Sequence, residues 1–162
     1  MKQAKIVYYS YSGNTAKVAD VLKEVLEKDY QMHITALQAE NESATFFGQA
    51  MRAFFKKQAS LKADTEFDLS AYDLVAIGSP VWAFACAPAV RTFLKKCHGL
   101  AGKSIILFVT YGSGAGKGKC VKEMELILKE KGISSSRVFF IQQFRVDNRE
   151  LVREKIEAAI KR

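Results

Sequence analysis

Short contiguous apolar blocks alternate along the chain with longer stretches in which apolar residues recur every third or fourth position. Contiguous β-branched and aromatic residues fit strands covered on both faces. The 3.6-residue recurrence fits helices buried along one side. Alternation from end to end predicts an α/β fold, a doubly wound parallel sheet with helices on both faces. Strands are expected at 5–9, 33–37, 74–78, 104–110 and 138–144, and the first helix at 16–28 with Val18, Val21, Leu22, Val25 and Leu26 on its apolar side. Pro88 opens another helix, at a position where its missing N–H costs nothing. A helix over 119–131 stops at Gly132, and a last one over 148–160 takes Asp147 or Asn148 as its N-cap.

The stretch 42–62 reads as an amphipathic crossover helix, with Phe46, Phe47, Met51, Phe54 and Phe55 on one side and Arg52, Lys56 and Lys57 on its edge. Packing on the sheet with solvated cations is the plainer reading of this segment, and a partner-docking surface the sharper one. No repeat, low-complexity tract or linker interrupts the pattern. Residues 1–162 are therefore expected to form one domain, long enough to bury a core without metal or disulfide support.

Charge widens the range of partners without choosing one. The formal net charge of +8 favours an acidic protein, nucleic acid or a membrane surface. Zinc-finger spacing, an RNP-like aromatic motif and an arginine-rich tail are all missing, so no nucleic-acid role is expected. No apolar run reaches the roughly 18 residues of a membrane span, so no membrane insertion is expected. Cys86, Cys97 and Cys120 are odd in number and widely spaced, which predicts neither a disulfide framework nor a zinc site. With no secretory signal pattern at the N-terminus, these features predict a cytoplasmic protein. Cys86 lies near a helix start, where a thiol pKa can fall, but a buried small hydrophobe is the favoured reading.

In an open parallel sheet, ligands sit beyond the carboxyl ends of the strands, so the loops after strands one, three and four hold the candidate chemistry. The first is Ser10-Tyr11-Ser12-Gly13-Asn14-Thr15. Three hydroxyls, an amide and the N–H groups of a helix start suit a phosphate, and Gly13 permits close backbone approach. An ordinary helix cap accounts for one or two of these residues, not for the run. The second loop, Gly78-Ser79-Pro80-Val81-Trp82-Ala83-Phe84, carries the sole tryptophan, a ring able to stack on a planar ligand. The third is Thr110-Tyr111-Gly112-Ser113-Gly114, followed by Ala115-Gly116-Lys117-Gly118. It misses the Walker pattern by one residue of spacing and by Gly118 in place of Ser or Thr, and G-x-G-x-x-G does not follow the first strand. A flexible loop wrapping a ring system is the remaining reading.

On these residues the chain resembles the flavodoxin family, the standard illustration of strand order 2-1-3-4-5 with FMN at its switch point. The resemblance covers nearly the whole chain and is most specific at Ser10, Ser12, Gly13 and Thr15, which fit the family's phosphate motif. It implies a flavodoxin-like five-stranded sheet and FMN as cofactor. The first loop would hold the phosphate, Ser79 to Phe84 with Trp82 would flank the isoalloxazine, and Thr110 to Gly114 would lie beneath its pyrimidine end. An uninterrupted fifth strand places it with the short-chain type.

Two departures accompany the resemblance. The chain is basic where many relatives are acidic, with Arg91, Lys95, Lys96, Lys117 and Lys119 expected near the cofactor, so its redox partner proteins are expected to be acidic. Ala83 also stands where a glycine would ease a peptide flip towards the flavin, so weaker stabilisation of the one-electron-reduced flavin is expected.

A low-potential electron carrier is the leading functional expectation, because FMN supplies the chemistry and no catalytic acid, base or nucleophile stands out. His33 and His98 read as structural or solvent-facing. An FMN-dependent NAD(P)H or quinone-type oxidoreductase is the alternative, and a cofactor-free interaction module the third.

Overall fold

The computed structural model describes residues 1–40 and 59–161. The expected crossover helix over 42–62 falls almost wholly outside these residues. The described elements are β1 (Lys2–Tyr8), α1 (Asn14–Leu26), β2 (Tyr30–Ala36), β3 (Leu74–Trp82), β4 (Ala85–Cys86), α2 (Pro88–Lys96), β5 (Ser104–Tyr111), α3 (Lys117–Glu130), β6 (Arg137–Gln142) and α4 (Arg149–Ile160). A 3₁₀ turn at Gln143–Arg145 follows β6.

The main strands pair in parallel in the order β2-β1-β3-β5-β6, and the two-residue β4 folds back antiparallel on β3. Leaving β4 aside, this is the expected 2-1-3-4-5 order. The order reverses between β1 and β3, so the carboxyl ends of these strands open a crevice there. The contiguous apolar blocks become the central strands because each face of the sheet has its own core. Val7, Val75, Ile77 and Leu107 meet Val90, Phe93, Met124 and Leu128 of α2 and α3. Ile6, Ala76, Ile106 and Phe108 meet Val18, Leu22, Val152 and Ile156 of α1 and α4. At Gly78 the sheet has no room for a side chain, since a Cβ would lie 2.2 Å from the Phe108 ring. Phe108 in turn stacks on Phe139, with centroids 5.7 Å apart.

Several boundaries differ from the sequence pattern, for identifiable reasons. The third strand continues beyond Gly78 to Trp82, because Val81 and Trp82 find partners in Cys86 and Ala85. The strand expected at 138–144 ends at Gln142, leaving Phe144 79% exposed in the 3₁₀ turn. The first helix begins at Asn14 instead of residue 16 and is entered through Gly13 at φ 89°. Asn148 caps α4, accepting from the Leu151 N–H at 3.1 Å. Among the described residues, no helix is long and apolar enough to cross a membrane.

Candidate functional site

The three loops meet at the carboxyl edge of the sheet around a cavity of about 490 Å³. Its walls are Tyr11, Ser12, Asn14 and Thr15 from the first loop, Pro80 to Phe84 from the second, and Thr110 to Ser113 with Ala115 from the third. Gln143 closes the far side. Among the described residues that line it, none carries an ionised side chain.

The phosphate-type loop leads through Gly13 into the start of α1. Gly13 is the N-cap and offers no side-chain cap, while Asn14 and Thr15 already belong to the first turn of α1. The Ser10 hydroxyl accepts from the Ala16 N–H at 3.2 Å. An N-terminus with no acidic residue in its first turn attracts an anion through its dipole and N–H groups. Thr15 and Thr110 are both buried, and their hydroxyls meet at 2.8 Å, which ties the first loop to the third. Ser10 and Gly13 do not line the main cavity. They face an adjoining depression with Leu37, Gln38 and Lys62.

The second loop, expected to carry Trp82 outside the regular elements, is instead a hairpin turn between β3 and β4. Ala83 and Phe84 connect β3 to β4 with φ of 46° and 65°. Positive φ at both central residues is the signature of a type I′ turn, usually made by Asn-Gly. Here neither residue is glycine. Ala83 therefore already holds the left-handed backbone that the sequence reading reserved for glycine, at a cost of roughly 1–2 kcal/mol per residue.

Trp82 ends a strand and is only 7% exposed, packed edge-on against Tyr9 at 5.3 Å and Tyr11 at 6.1 Å. The more open aromatic surfaces beside the cavity are Tyr11 and Phe84, at 44% and 55%. Ser79 is fully buried and does not line the cavity. Its hydroxyl donates to the Pro80 carbonyl and accepts from the Ala87 N–H, so it braces the hairpin from behind.

Gly114 and Gly116 take φ of 88° and 83°, and Gly116 lies directly against the Phe84 backbone. Gly114 lies behind the lining, with Tyr111 the neighbour a side chain there would meet. The Gln142 amide holds the Gly112 carbonyl at 3.2 Å. Gln143 was missed by the sequence reading, although it too stands past the carboxyl end of a sheet strand, where ligands are expected.

The expected basic rim is smaller than the sequence indicated. Arg91 is 2% exposed and bonds Glu123 at 2.5 Å, so it belongs to the interior. Lys95 and Lys96 end α2, which runs back toward the amino ends of the strands and away from the site. Lys117 and Lys119 remain near it, with Nζ atoms 4.4 Å from the Tyr111 ring centroid and 5.6 Å from that of Phe84. Cys86 is wholly buried and its thiol pKa is pushed well up by burial, with Glu123 adding to the effect. Cys86 is thus the buried small hydrophobe that the sequence favoured, not a low-pKa thiol. His33 bonds the Gln3 amide at 2.8 Å and His98 lies 3.6 Å from Asp68, both away from the cavity.

No curated protein matches the chain in sequence. Among solved structures, a candidate flavoprotein of Bacteroides uniformis ATCC 8492 superposes with a TM-score of 0.72 at 22% identity, covering 96% of this chain and 98% of its own. A flavoprotein of Lactobacillus acidophilus NCFM, solved in complex with FMN, gives 0.63 at 21% identity over 93% and 99%. Oxidised flavodoxin 2 of Bacillus cereus gives 0.63 at 20% identity over 99% of each chain. These likenesses establish the fold. A family model described as flavodoxin matches residues 3–138, which span the first, second and third loops together with β1 to β5. By strand order, loop placement and that match, the chain belongs to the flavodoxin family.

Proposed function

We propose that the chain binds FMN in the cavity at the carboxyl edge and serves as an electron carrier. The observation that carries this reading is the convergence of a helix start free of acidic residues and an aromatic-walled cavity on one crevice. The donor set fits the cofactor in its parts. Hydroxyls of Ser12 and Thr15 with the Asn14 and Thr15 N–H groups at the start of α1 would receive the phosphate without a counter-cation. Tyr11, Trp82 and Phe84 provide apolar and edge contacts for the ring, and the cavity volume falls within the roughly 300–1,000 Å³ of small-molecule sites. Bound FMN supplies electron transfer, and the protein supplies position, water exclusion and a docking face. Lys117 and Lys119 at the rim favour an acidic redox partner through complementary charge.

The half-exposed Phe84 ring beside the cavity supports the second reading, an FMN-dependent oxidoreductase, because it leaves a planar surface for a small substrate. Absorption spectra of freshly purified protein test the shared claim: flavin bands near saturation support it, and a colourless protein that fails to take up added FMN refutes it. NAD(P)H oxidation by the flavin-loaded protein separates the two readings. Turnover near background supports the carrier, and rapid turnover supports the reductase.

A further inference from the structure

The hairpin that carries Trp82, Ala83 and Phe84 adopts a shape its own residues disfavour, so something outside it must hold it. Ala83 and Phe84 both lie at positive φ, and the returning strand β4 is only two residues long. In an antiparallel pair, alternate residues turn their N–H and C=O away from the partner strand. Cys86, opposite Val81, has both groups taken by side chains from the two helices beneath. Its N–H donates to Glu123 Oε2 at 3.0 Å, and its carbonyl accepts from Arg91 Nη2 at 3.2 Å. Arg91 belongs to α2 and Glu123 to α3, and they bond each other through Arg91 Nε and Glu123 Oε1.

We infer that the Arg91–Glu123 ion pair, in which Arg91 is buried and Glu123 partly so, is a positioning element of the ring-facing hairpin. By gripping both backbone groups of Cys86, it holds the Trp82–Phe84 turn in the shape that receives the isoalloxazine. The inference rests on the FMN reading above for what the turn receives, and on the geometry alone for what holds the turn.

An ion pair largely withdrawn from water is a poor source of stability, since apolar residues of similar volume often replace it without loss. Its better-attested use is to fix one arrangement among several, and here both charges converge on the backbone of one residue. Each charged group contributes a different constraint. The carboxylate bridges α3 to the N–H side of β4, and the guanidinium bridges α2 to its carbonyl side. The hairpin is thereby referenced to both helices on that face of the sheet. Ser79 adds a third tie through the Ala87 N–H, one residue further on. None of these groups lines the cavity, so their effect on a ligand passes through the backbone of the turn.

The double variant R91M/E123L in the full chain tests this, because it keeps the interior filled while removing both grips. Trp82 is the sole tryptophan, so its quenching by acrylamide reports the hairpin without any flavin. The expected result is native far-UV circular dichroism, with quenching of Trp82 raised about twofold or more by local opening. FMN and riboflavin affinities should both fall about tenfold, with their ratio unchanged because the phosphate loop is untouched. A folded variant with wild-type quenching, or with raised quenching and unaltered affinity for both flavins, overturns the inference.

If wild-type protein binds no flavin, the proposed function fails, while the quenching experiment still decides the role of the ion pair. If the variant does not fold, amide exchange in the wild type decides instead. The Cys86 N–H should exchange as slowly as the amides of β3, and exchange at the rate of the exposed Ser113 amide overturns the inference.

Discussion

Replacing Gly116 by alanine should damage the protein, whereas the same change two residues later should improve it. Gly116 sits at φ 83°, and a Cβ there would lie 2.4 Å from Phe84 Cδ1, 2.7 Å from its Cα and 2.9 Å from its Cβ. Comfortable carbon contacts begin near 3.5 Å, so the Phe84 backbone must retreat by about 1 Å. Phe84 is itself held at φ 65° and has little freedom to comply. Left-handed backbone costs a non-glycine residue about 1–2 kcal/mol, and overpacking typically adds about 1–3 kcal/mol. Against this, a less flexible unfolded chain returns about 0.4–1 kcal/mol. The net destabilisation is about 1–5 kcal/mol, a loss of roughly 2–4 °C in Tm per kcal/mol for a chain of this size.

Gly118 is the second residue of α3, with open space around it and no positive φ, so Gly118→Ala should stabilise by about 0.4–1 kcal/mol through the unfolded chain. Urea unfolding of both variants, followed by circular dichroism, gives the comparison. A Gly116→Ala midpoint equal to or above wild type would refute the close approach of the second and third loops.

Other outcomes follow from the same contacts. Thr15→Val or Thr110→Val alone leaves a buried hydroxyl unpaired and should cost about 1–3 kcal/mol, while the double variant should cost clearly less than the sum; additive losses in urea midpoints would show that the two hydroxyls are not coupled. All three cysteines are buried, with Cys97 pushed up to about 11 and Cys120 to about 12 by burial, so thiol reagents should label the native protein only at its unfolding rate. Rapid labelling without denaturant would contradict that burial. Burial alone would raise the Glu123 pKa, but the Arg91 hydrogen bond, the Cys86 N–H and the Arg91 charge outweigh it and leave it lowered. Glu66 is lowered chiefly by the Lys5 hydrogen bond, with Tyr72 helping, despite burial acting the other way. Because folded values lie below the unfolded value near 4.5, the stabilisation is complete above that pH and lost as pH falls through the folded values. Urea midpoints measured between pH 7 and 3 should stay level at first and drop below about pH 4.5, with a shallower drop in R91M/E123L. An equal drop in both proteins would remove Glu123 from the acid transition.

The sheet was legible in the sequence because its central strands are buried on both faces and read as unbroken apolar blocks, as at Ile6 to Tyr9 and Leu74 to Ile77. Thirteen of the residues singled out in the three loops do line one cavity, since the carboxyl-edge rule depends only on topology. The hairpin at Ala83 and Phe84 was illegible for a physical reason: neither residue advertises positive φ, and its support comes from side chains on α2 and α3. Arg91 misled for a related reason. Its partner Glu123 lies 32 residues away and one helix over, so composition counted a surface cation where the fold buries Arg91 against a carboxylate. Gln143 was hidden by a strand read two residues too long.

The central claim is that Ser12, Thr15 and the start of α1 recognise a phosphate on a flavin, and titration of the apoprotein with FMN and with riboflavin tests it most directly. Both ligands carry the same ring, so the difference isolates the phosphate. Hydrogen bonds to a charged group contribute about 1.5–3 kcal/mol each, and two of them correspond to a preference for FMN of about a hundredfold or more. Quenching of flavin fluorescence should show that preference, and Ser12→Ala should reduce it while leaving riboflavin binding unchanged. Equal affinity for the two flavins, or binding of neither, would contradict the account.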